Sequence, residues 1–587
     1  GQIVATVLLR EVRLEGCLTQ APLPTDSKWG WRATLAVRRV EGRPLPAAGR
    51  PRVRLAYPGS VPAWNGGDRV SARGRLRGWE SARNPGEPSL DLIFRQRGLL
   101  GRLLGLRPDG AVRTAAAPPW SWRRWVTRWR DRVRRRTAGL DAEPRSLVCA
   151  LVSGDRRGMP PELRTRFSRA GMAHVLAISG FHVALAFGMA YGALRRWAGS
   201  RSACRWFAWG VAGAYTLLSG AGAPAVRAMV MLTGMLLAAS RGRRVHGLAG
   251  LAAAALGLLA WDPSQAGQAG CQLSFTATAG ILLCLETGVR RPGWREGLLR
   301  SVKVMTAAVI ATAPLTARYF HLVTPVSWVT TPPAGLCAAG VIVCGGAAAV
   351  SPWDAPARLA ARGAGWCGRG LAVLAGFGAA VPGGHYNVPA PPSWLTLLLA
   401  AAAVSIWRPS LRPWALGCVV LGLAVYACLW PAPPAPGTWR VTHLSLQHGE
   451  SALVEDDAGT TCLIDTGTLW DYRLRVRPFL ASRGIQRLDA LMISHADADH
   501  AGGAAACLAD FRPRRVYAAG GAYGRGLGAD ILWQGDRRIL SRRLTLACAW
   551  PPPGPVAPGN HDSLVVVFRG REGRSAWFTG DAPAAVE

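Results

Sequence analysis

His495, Asp497, Asp499 and His500 fall in one short stretch, LMISHADADHAGG, between an apolar run and a Gly-Gly pair. An apolar strand that runs into ligand-type side chains presents alternate residues to one face, and Gly502 and Gly503 then open a helix. The pattern H-x-D-x-D-H offers imidazole and carboxylate donors suited to Zn²⁺ or Mn²⁺. A pair of such ions lowers the pKa of a bound water and clamps the attacking and leaving oxygens of a phosphoryl displacement, so the chemistry predicted is hydrolysis. The plain alternative is a polar loop with accidental His and Asp, against which the preceding strand and the following glycines both weigh.

A motif of this kind needs a sheet to hold it, and the C-terminal sequence supplies strand-like runs. VTHLSL, SALVEDD, TCLIDTG, LDALMISH, RRVYAAG, SLVVVF and AWFTGD alternate with turn and helix signals over residues 441–587, which predicts an α/β domain. A Pro-rich linker, 432–440, separates it from what precedes. Residues 146–431 are dominated by apolar segments near membrane-spanning length: 172–192, 205–220, 224–240, 247–261, 268–288, 303–317, 325–350, 366–382, 392–407 and 413–431, about ten in all. Residues 1–115 read as short alternating runs between Pro, Gly and Asn clusters, a small all-β barrel or sandwich. Between them, 116–145 holds WSWRRWVTRWRDRVRRR, an amphipathic helix for a membrane surface or a basic linker.

The loops orient the membrane part. Those after the first, third and fifth segments carry Arg195, Arg196, Arg201 and Arg205, then Arg241, Arg243 and Arg244, then Arg290, Arg291, Arg295, Arg300 and Lys303. The alternate loops, at 221–223, 261–268 and 383–392, carry almost no positive charge. The positive-inside rule makes the first set cytoplasmic, which puts both terminal domains on the extracytoplasmic side of an inner membrane. At membrane depth, His174, Ser179, His182, Arg227, Gln272 and Ser274 are polar, and they either line a path or bond helix to helix. Arg227 is the strongest candidate for a path, since a guanidinium is costly to bury idle and pairs readily with phosphate.

Composition agrees with a chain that is part membrane and part globular. Half of it is hydrophobic, and the formal net charge is +36 from 70 Lys and Arg against 34 Asp and Glu. Such a surface attracts nucleic acid or anionic lipid headgroups, although basic loops of an inner-membrane protein contribute to the same number. Thirteen Cys occur with no C-x-x-C pair, which argues against a disulfide framework. The start at Gly1 and the end at Glu587 both read as truncations, with the C-terminal domain incomplete.

The motif H-x-D-x-D-H resembles that of the metallo-β-lactamase superfamily, in the version seen in the ComEC family of competence DNA-internalisation proteins. Other stretches resemble that family in its order: GDRVSARGRL and NPGEPSLD (Asn84–Asp91) its OB-like region, and MAHVLAISGFHVAL, GAPAVRAMVM and QLSFTATAGI its competence domain. The resemblance implies an OB-like barrel, a polytopic helical core and an αββα metallo-β-lactamase-type domain. It implies a channel for single-stranded DNA in natural transformation, with a metal-dependent nuclease domain degrading the other strand. The metal set it implies is His495, Asp497, Asp499 and His500 with Asp581 as the carboxylate bridging two ions and Asp465 beside them, Asp499 and His500 being nearest the chemistry. Partners implied are single-stranded DNA, membrane lipid, a DNA receptor and a cytoplasmic ATP-driven translocase, since no G-x-x-x-x-G-K-[ST] loop occurs here.

Departures from the family pattern bear on this. Ser445 stands where Asp is usual, His561 occupies a position usually Asn, and a downstream His segment is missing past Asp581. Two other readings therefore stand beside the first: a DNA channel whose lactamase-like domain only binds, and a membrane-anchored metallohydrolase of a small substrate. In the barrel, Trp29, Trp31, Trp64 and Trp79 are either base-stacking platforms or core.

Overall fold

The computed structural model describes residues 11–25, 30–45, 51–96, 98–105, 107–196, 200–242, 246–286, 294–519, 522–553, 563–570 and 573–582. Trp29, Arg243, Arg244, Arg290, Arg291 and His561 lie outside these.

Alternation of buried and exposed residues along Trp31–Val40 and Arg69–Arg77 gives each strand one apolar face, and those faces close on one another. Strands Glu11–Leu18, Trp31–Val40, Arg52–Tyr57, Leu99–Leu104 and Arg69–Arg77 pair in that order, and the last pairs back to the first, forming a closed five-stranded barrel. Arg52–Tyr57 and Leu99–Leu104 run parallel. Trp31 is core: it stacks on Tyr57 at 5.1 Å and meets Trp64 edge-on at 5.6 Å. Trp79 is paired as well, against Phe94 at 4.0 Å with Arg54 over its ring. Trp31 therefore takes the core alternative, while Trp64 and Trp79 are half-buried against neighbouring rings.

The Trp/Arg stretch forms helix Trp122–Arg136, which buries Val126, Arg130 and Val133 on the core while Trp120, Trp122 and Trp125 stay exposed. Its end is fixed by Arg134 on Asp155 and by Arg136 on Asp354. The ten apolar segments become helices Gly180–Leu194, Arg201–Leu218, Ala223–Ser240, Gly247–Trp261, Ala269–Glu286, Trp294–Phe320, Ser327–Val350, Asp354–Ala380, Ser393–Ser405 and Arg412–Cys428. Among the described residues, three helices are long and apolar enough to cross a membrane: Ala269–Glu286, Arg295–Phe320 and Ser327–Val350. The first segment is interrupted. A short turn at Ala173–Leu176 gives way to extended backbone, and Ser179 with His182 caps the helix that follows.

Gln96 of the barrel bonds Ser264, Gly267 and Gln268, and Asn387 bonds Gln486 of the C-terminal domain, so the weakly charged loops face the terminal domains. Glu286 pairs with His246 and Arg408, tying together the ends that carry the basic loops. All thirteen cysteines are free.

The C-terminal domain is a sandwich. Six strands, Trp439–His443, Ala452–Asp456, Thr461–Ile464, Ala490–Ile493, Arg515–Ala518 and Asp530–Ile531, face a four-stranded sheet of Arg537–Ile539, Leu544–Trp550, Val565–Gly570 and Ser575–Phe578. Buried on both faces, the central strands are continuously apolar rather than alternating. Val454, Ile464, Met492 and Tyr517 fill the space against Leu546, Val566 and Phe568, while Leu453, Leu463, Leu491 and Ile493 pack on Tyr472, Phe479, Leu480 and Phe511 of the helical layer. Losing a buried Leu, Ile, Met or Phe here to Ala costs about 2–5 kcal/mol.

Candidate metal centre

Strands Thr461–Ile464 and Ala490–Ile493 run parallel, so their C-terminal ends deliver Asp465 and the Ser494–His500 segment to one edge of the sheet. The strand Ser575–Phe578 of the other sheet ends just before Asp581 and brings it across. His495 and His500 are buried with ring centroids 4.2 Å apart. Their Nε2 atoms point to the same opening. His500 Nε2 lies 3.4 Å from Asp581, and His495 Nε2 lies 4.0 Å from Asp581 and 3.6 Å from Asp497. His495, His500 and Asp581 can place ligand atoms within 4.8 Å of one another.

The donor set fits a metal, and the test is His495. Its Nε2 is buried without a hydrogen-bond partner among the described residues, a condition that costs on the order of 1–3 kcal/mol unless something else satisfies the atom. Its Nδ1 is held from behind by Ser494 Oγ at 3.0 Å and Ser563 Oγ at 3.2 Å. His500 is held likewise: its Nδ1 bonds Asp465 at 2.9 Å, leaving Nε2 for the centre. Carboxylate-backed imidazoles of this kind are the ordinary way a metal ligand is oriented. Burial opposes protonation of His500, yet Asp465, with Asp581 and Asp499, raises its pKa to about 8.

The structure distributes the expected residues unevenly. His495, His500, Asp497 and Asp581 converge. Asp465 stands behind His500, its two oxygens bonded to Ser494 N at 2.7 Å and Ser494 Oγ at 2.6 Å, with φ of +53°, a strained value for a non-glycine residue. Asp499 lies beside His500, its main-chain oxygen backed by Gly449. Ser494 and Ser563 were not singled out from the sequence; the signals were there in the residue before His495 and in the NHDS stretch.

In the membrane core the expected residues do not form one cluster. Ser179 and His182 bond each other as a helix cap, His174 bonds Gly171 O, and Gln272 bonds Ala266 O and Tyr319. His182 Nε2 is buried with no hydrogen-bond partner among the described residues. The same holds for Nε and Nη1 of Arg227, which is 3% exposed, sits over the Phe275 ring at 6.0 Å and donates from Nη2 to Gly270 O at 2.6 Å.

Residues 151–413 match the family model "Competence protein", and residues 446–583 match "Metallo-beta-lactamase superfamily". The chain carries a Competence domain followed by a metallo-β-lactamase domain. The family recognised in the sequence is the one these matches return. Competence protein ComA of Neisseria gonorrhoeae is 32% identical over 399 residues, covering 64% of this chain and 55% of that protein. ComE operon protein 3 of Bacillus subtilis is 24% identical over 491 residues, covering 75% and 61%. The chain therefore spans little more than half of the curated relatives it matches. A metallo-β-lactamase structure from Cronobacter sakazakii is 20% identical, with a TM-score of 0.20 over 26% of this chain and 63% of that one. The lactamase domain holds the candidate metal centre, and the Competence domain holds Arg227.

Proposed function

We propose that the chain is the multi-pass inner-membrane channel through which single-stranded DNA enters during natural transformation, and that its lactamase domain is a divalent-metal nuclease for the strand left outside. The observation that carries the hydrolytic part is the orphaned Nε2 of His495, facing Asp497, Asp581 and His500 Nε2 in a buried, pre-oriented set. His495, His500, Asp497 and Asp581 would hold a divalent ion such as Zn²⁺ or Mn²⁺, with Asp499 beside them. A divalent ion there supplies a more acidic water and neutralises charge developing on a phosphodiester. The chain's own residues do the positioning: Ser494, Ser563 and Asp465 fix both imidazoles, and the exposed carboxylates of Asp497 and Asp581 keep the opening accessible to a polymer.

The path through the membrane is assigned to the Competence domain, with about ten crossings and both terminal domains outside. Contacts of Gln96 with the 264–268 loop and of Gln486 with Asn387 support a shared side for the barrel, the lactamase domain and the weakly charged loops. Arg227 is the phosphate contact on that path, because it is buried and has free donors where an unpaired charge is expensive. His174, Ser179, His182 and Gln272 serve the helices that frame it. A DNA receptor outside and an ATP-driven translocase inside complete the system, and the Trp/Arg helix meets the lipid surface.

Cleavage of single- and double-stranded DNA by the whole chain, with Mn²⁺ and Zn²⁺ and beside Asp499→Ala and Asp581→Asn, tests the reading. Metal-dependent cleavage lost in the variants supports it. Bound metal without cleavage favours a channel with a binding module, and absence of both overturns the centre.

A further inference from the structure

The segment between barrel strands Arg69–Arg77 and Leu99–Leu104 reaches the lactamase domain. Asn84 grips Ser445 at both main-chain groups: Ser445 N donates to its Oδ1 at 2.8 Å and its Nδ2 donates to Ser445 O at 3.0 Å. Gln447 donates from Nε2 to Glu80 at 3.2 Å and from its main chain to Asp471 at 3.1 Å. Arg475, on a π-helical turn and 5% exposed, then draws three carboxylates from two domains together. Its guanidinium bonds Glu80 at 2.7 Å, Glu87 at 3.2 Å and Asp471 at 2.8 Å. Glu87 accepts in addition from the main chain at Arg83 and Asn84. Buried charges bonded this completely are costly to break one at a time, because each loss strands the others.

Two loops lead from this clamp to the metal centre. Residues 445–449 end at Gly449, at φ +78°, which presses on the Asp499 main-chain oxygen so closely that no Cβ fits. Residues 465–471 begin at Asp465, which holds His500 Nδ1, and continue through Thr466, whose N and Oγ1 both donate to His500 O at 2.8 and 2.9 Å. They finish at Asp471, inside the clamp and braced by Thr468 Oγ1 at 2.7 Å. The loops that seat Asp499 and His500 are thus both fastened to the barrel at their far ends.

We propose that the barrel loop carrying Glu80, Asn84 and Glu87 is a positioning element of the metal centre, so that the centre reaches full metal affinity only with the barrel docked. This rests on the metal-binding reading above. Glu80, Asn84 and Arg475 act through the two loops and touch no reacting atom. Undocking the barrel is then a means of switching the centre, which keeps hydrolysis tied to the assembled channel.

The test is Mn²⁺ titration of the whole chain in detergent, following affinity and the electron paramagnetic resonance spectrum of the bound ion. Asn84→Ala and Glu80→Gln are expected each to weaken affinity roughly tenfold, the low end for lost supporting contacts, and to change the spectrum, while the metal-free protein, though less stable, keeps its fold by circular dichroism. Glu162→Gln, which breaks only the exposed Arg473–Glu162 pair between the lactamase and Competence domains, is expected to change neither. If Asn84→Ala does not fold, Glu80→Gln, whose side chain is part-exposed, carries the test. Unchanged affinity and spectrum in the variants, with a wild type that binds, overturn this proposal alone. A wild type that binds neither Mn²⁺ nor Zn²⁺ overturns the metal centre and this proposal with it.

Discussion

Asp465 Oδ2 lies 2.9 Å from His500 Nδ1, with both side chains buried and the same carboxylate oxygen taking the Ser494 hydroxyl at 2.6 Å. The aspartate therefore fixes which imidazole nitrogen is left for the centre. Asp465→Asn keeps the shape and removes the charge, and is expected to weaken metal binding about 10–100-fold while leaving the fold intact. Calorimetric titration with Mn²⁺ or Zn²⁺ reads it directly; an unchanged affinity would show that His500 needs no such support.

The same contact sets a pH dependence. His500 in the metal-free protein has a pKa raised to about 8, burial working against the shift and Asp465, Asp581 and Asp499 producing it. Below pH 8 the proton on His500 must leave before Nε2 can bind an ion, so metal affinity falls as pH falls from 8 toward 6 and binding releases a proton. Repeating the titration in buffers of different ionisation enthalpy counts that proton. In Asp465→Asn the release is expected to vanish at pH 7, since the group that raises the pKa most is gone.

The metal motif was legible in sequence because its meaning is local: an apolar strand, alternating ligands and a Gly-Gly exit are enough to place His495 and His500 at a sheet edge. Asp581, some eighty residues on, was reached only through resemblance, since nothing local says that the second sheet brings it across. Ser494 and Ser563 escaped because a serine beside a ligand is ordinary until its Oγ is seen 3.0–3.2 Å from an imidazole nitrogen. The clamp at Arg475 was invisible for a related reason. Its partners Glu80 and Glu87 lie nearly four hundred residues away, and periodicity carries no information about pairing across domains. The barrel tryptophans were left between base platform and core, because composition does not say which face of a strand a residue takes; Trp31 fills the interior.

Arg227→Met tests the membrane path. The substitution preserves volume and removes a guanidinium whose Nε and Nη1 have no partner among the described residues, so it relieves a buried charge and is expected to leave folding unharmed or improved. Uptake of labelled DNA is expected to fall at least about tenfold, the effect of about 1.4 kcal/mol lost at one phosphate contact, with Arg227→Lys intermediate because a point charge replaces a planar fork. Complementation of a strain lacking its own competence channel, with membrane levels of the protein checked, measures both. Normal uptake with Met would make Arg227 a structural donor to Gly270.

Gly449 joins the backbone argument to the centre. Its φ of +78° is one that L side chains rarely adopt, and a Cβ would overlap the Asp499 carbonyl, so Gly449→Ala must push the 445–449 loop away from the motif. Strain of this kind is worth about 1–3 kcal/mol and falls on one loop, leaving the sandwich core of Val566, Phe568 and Met492 untouched. The expected result is a folded protein with weaker metal binding and slower DNA cleavage. Circular dichroism and metal titration on the same sample separate the two effects. A variant that keeps full affinity would mean that Asp499 is held by its own helical turn, Ala498–Ala501, and that the loop from the barrel does not set it.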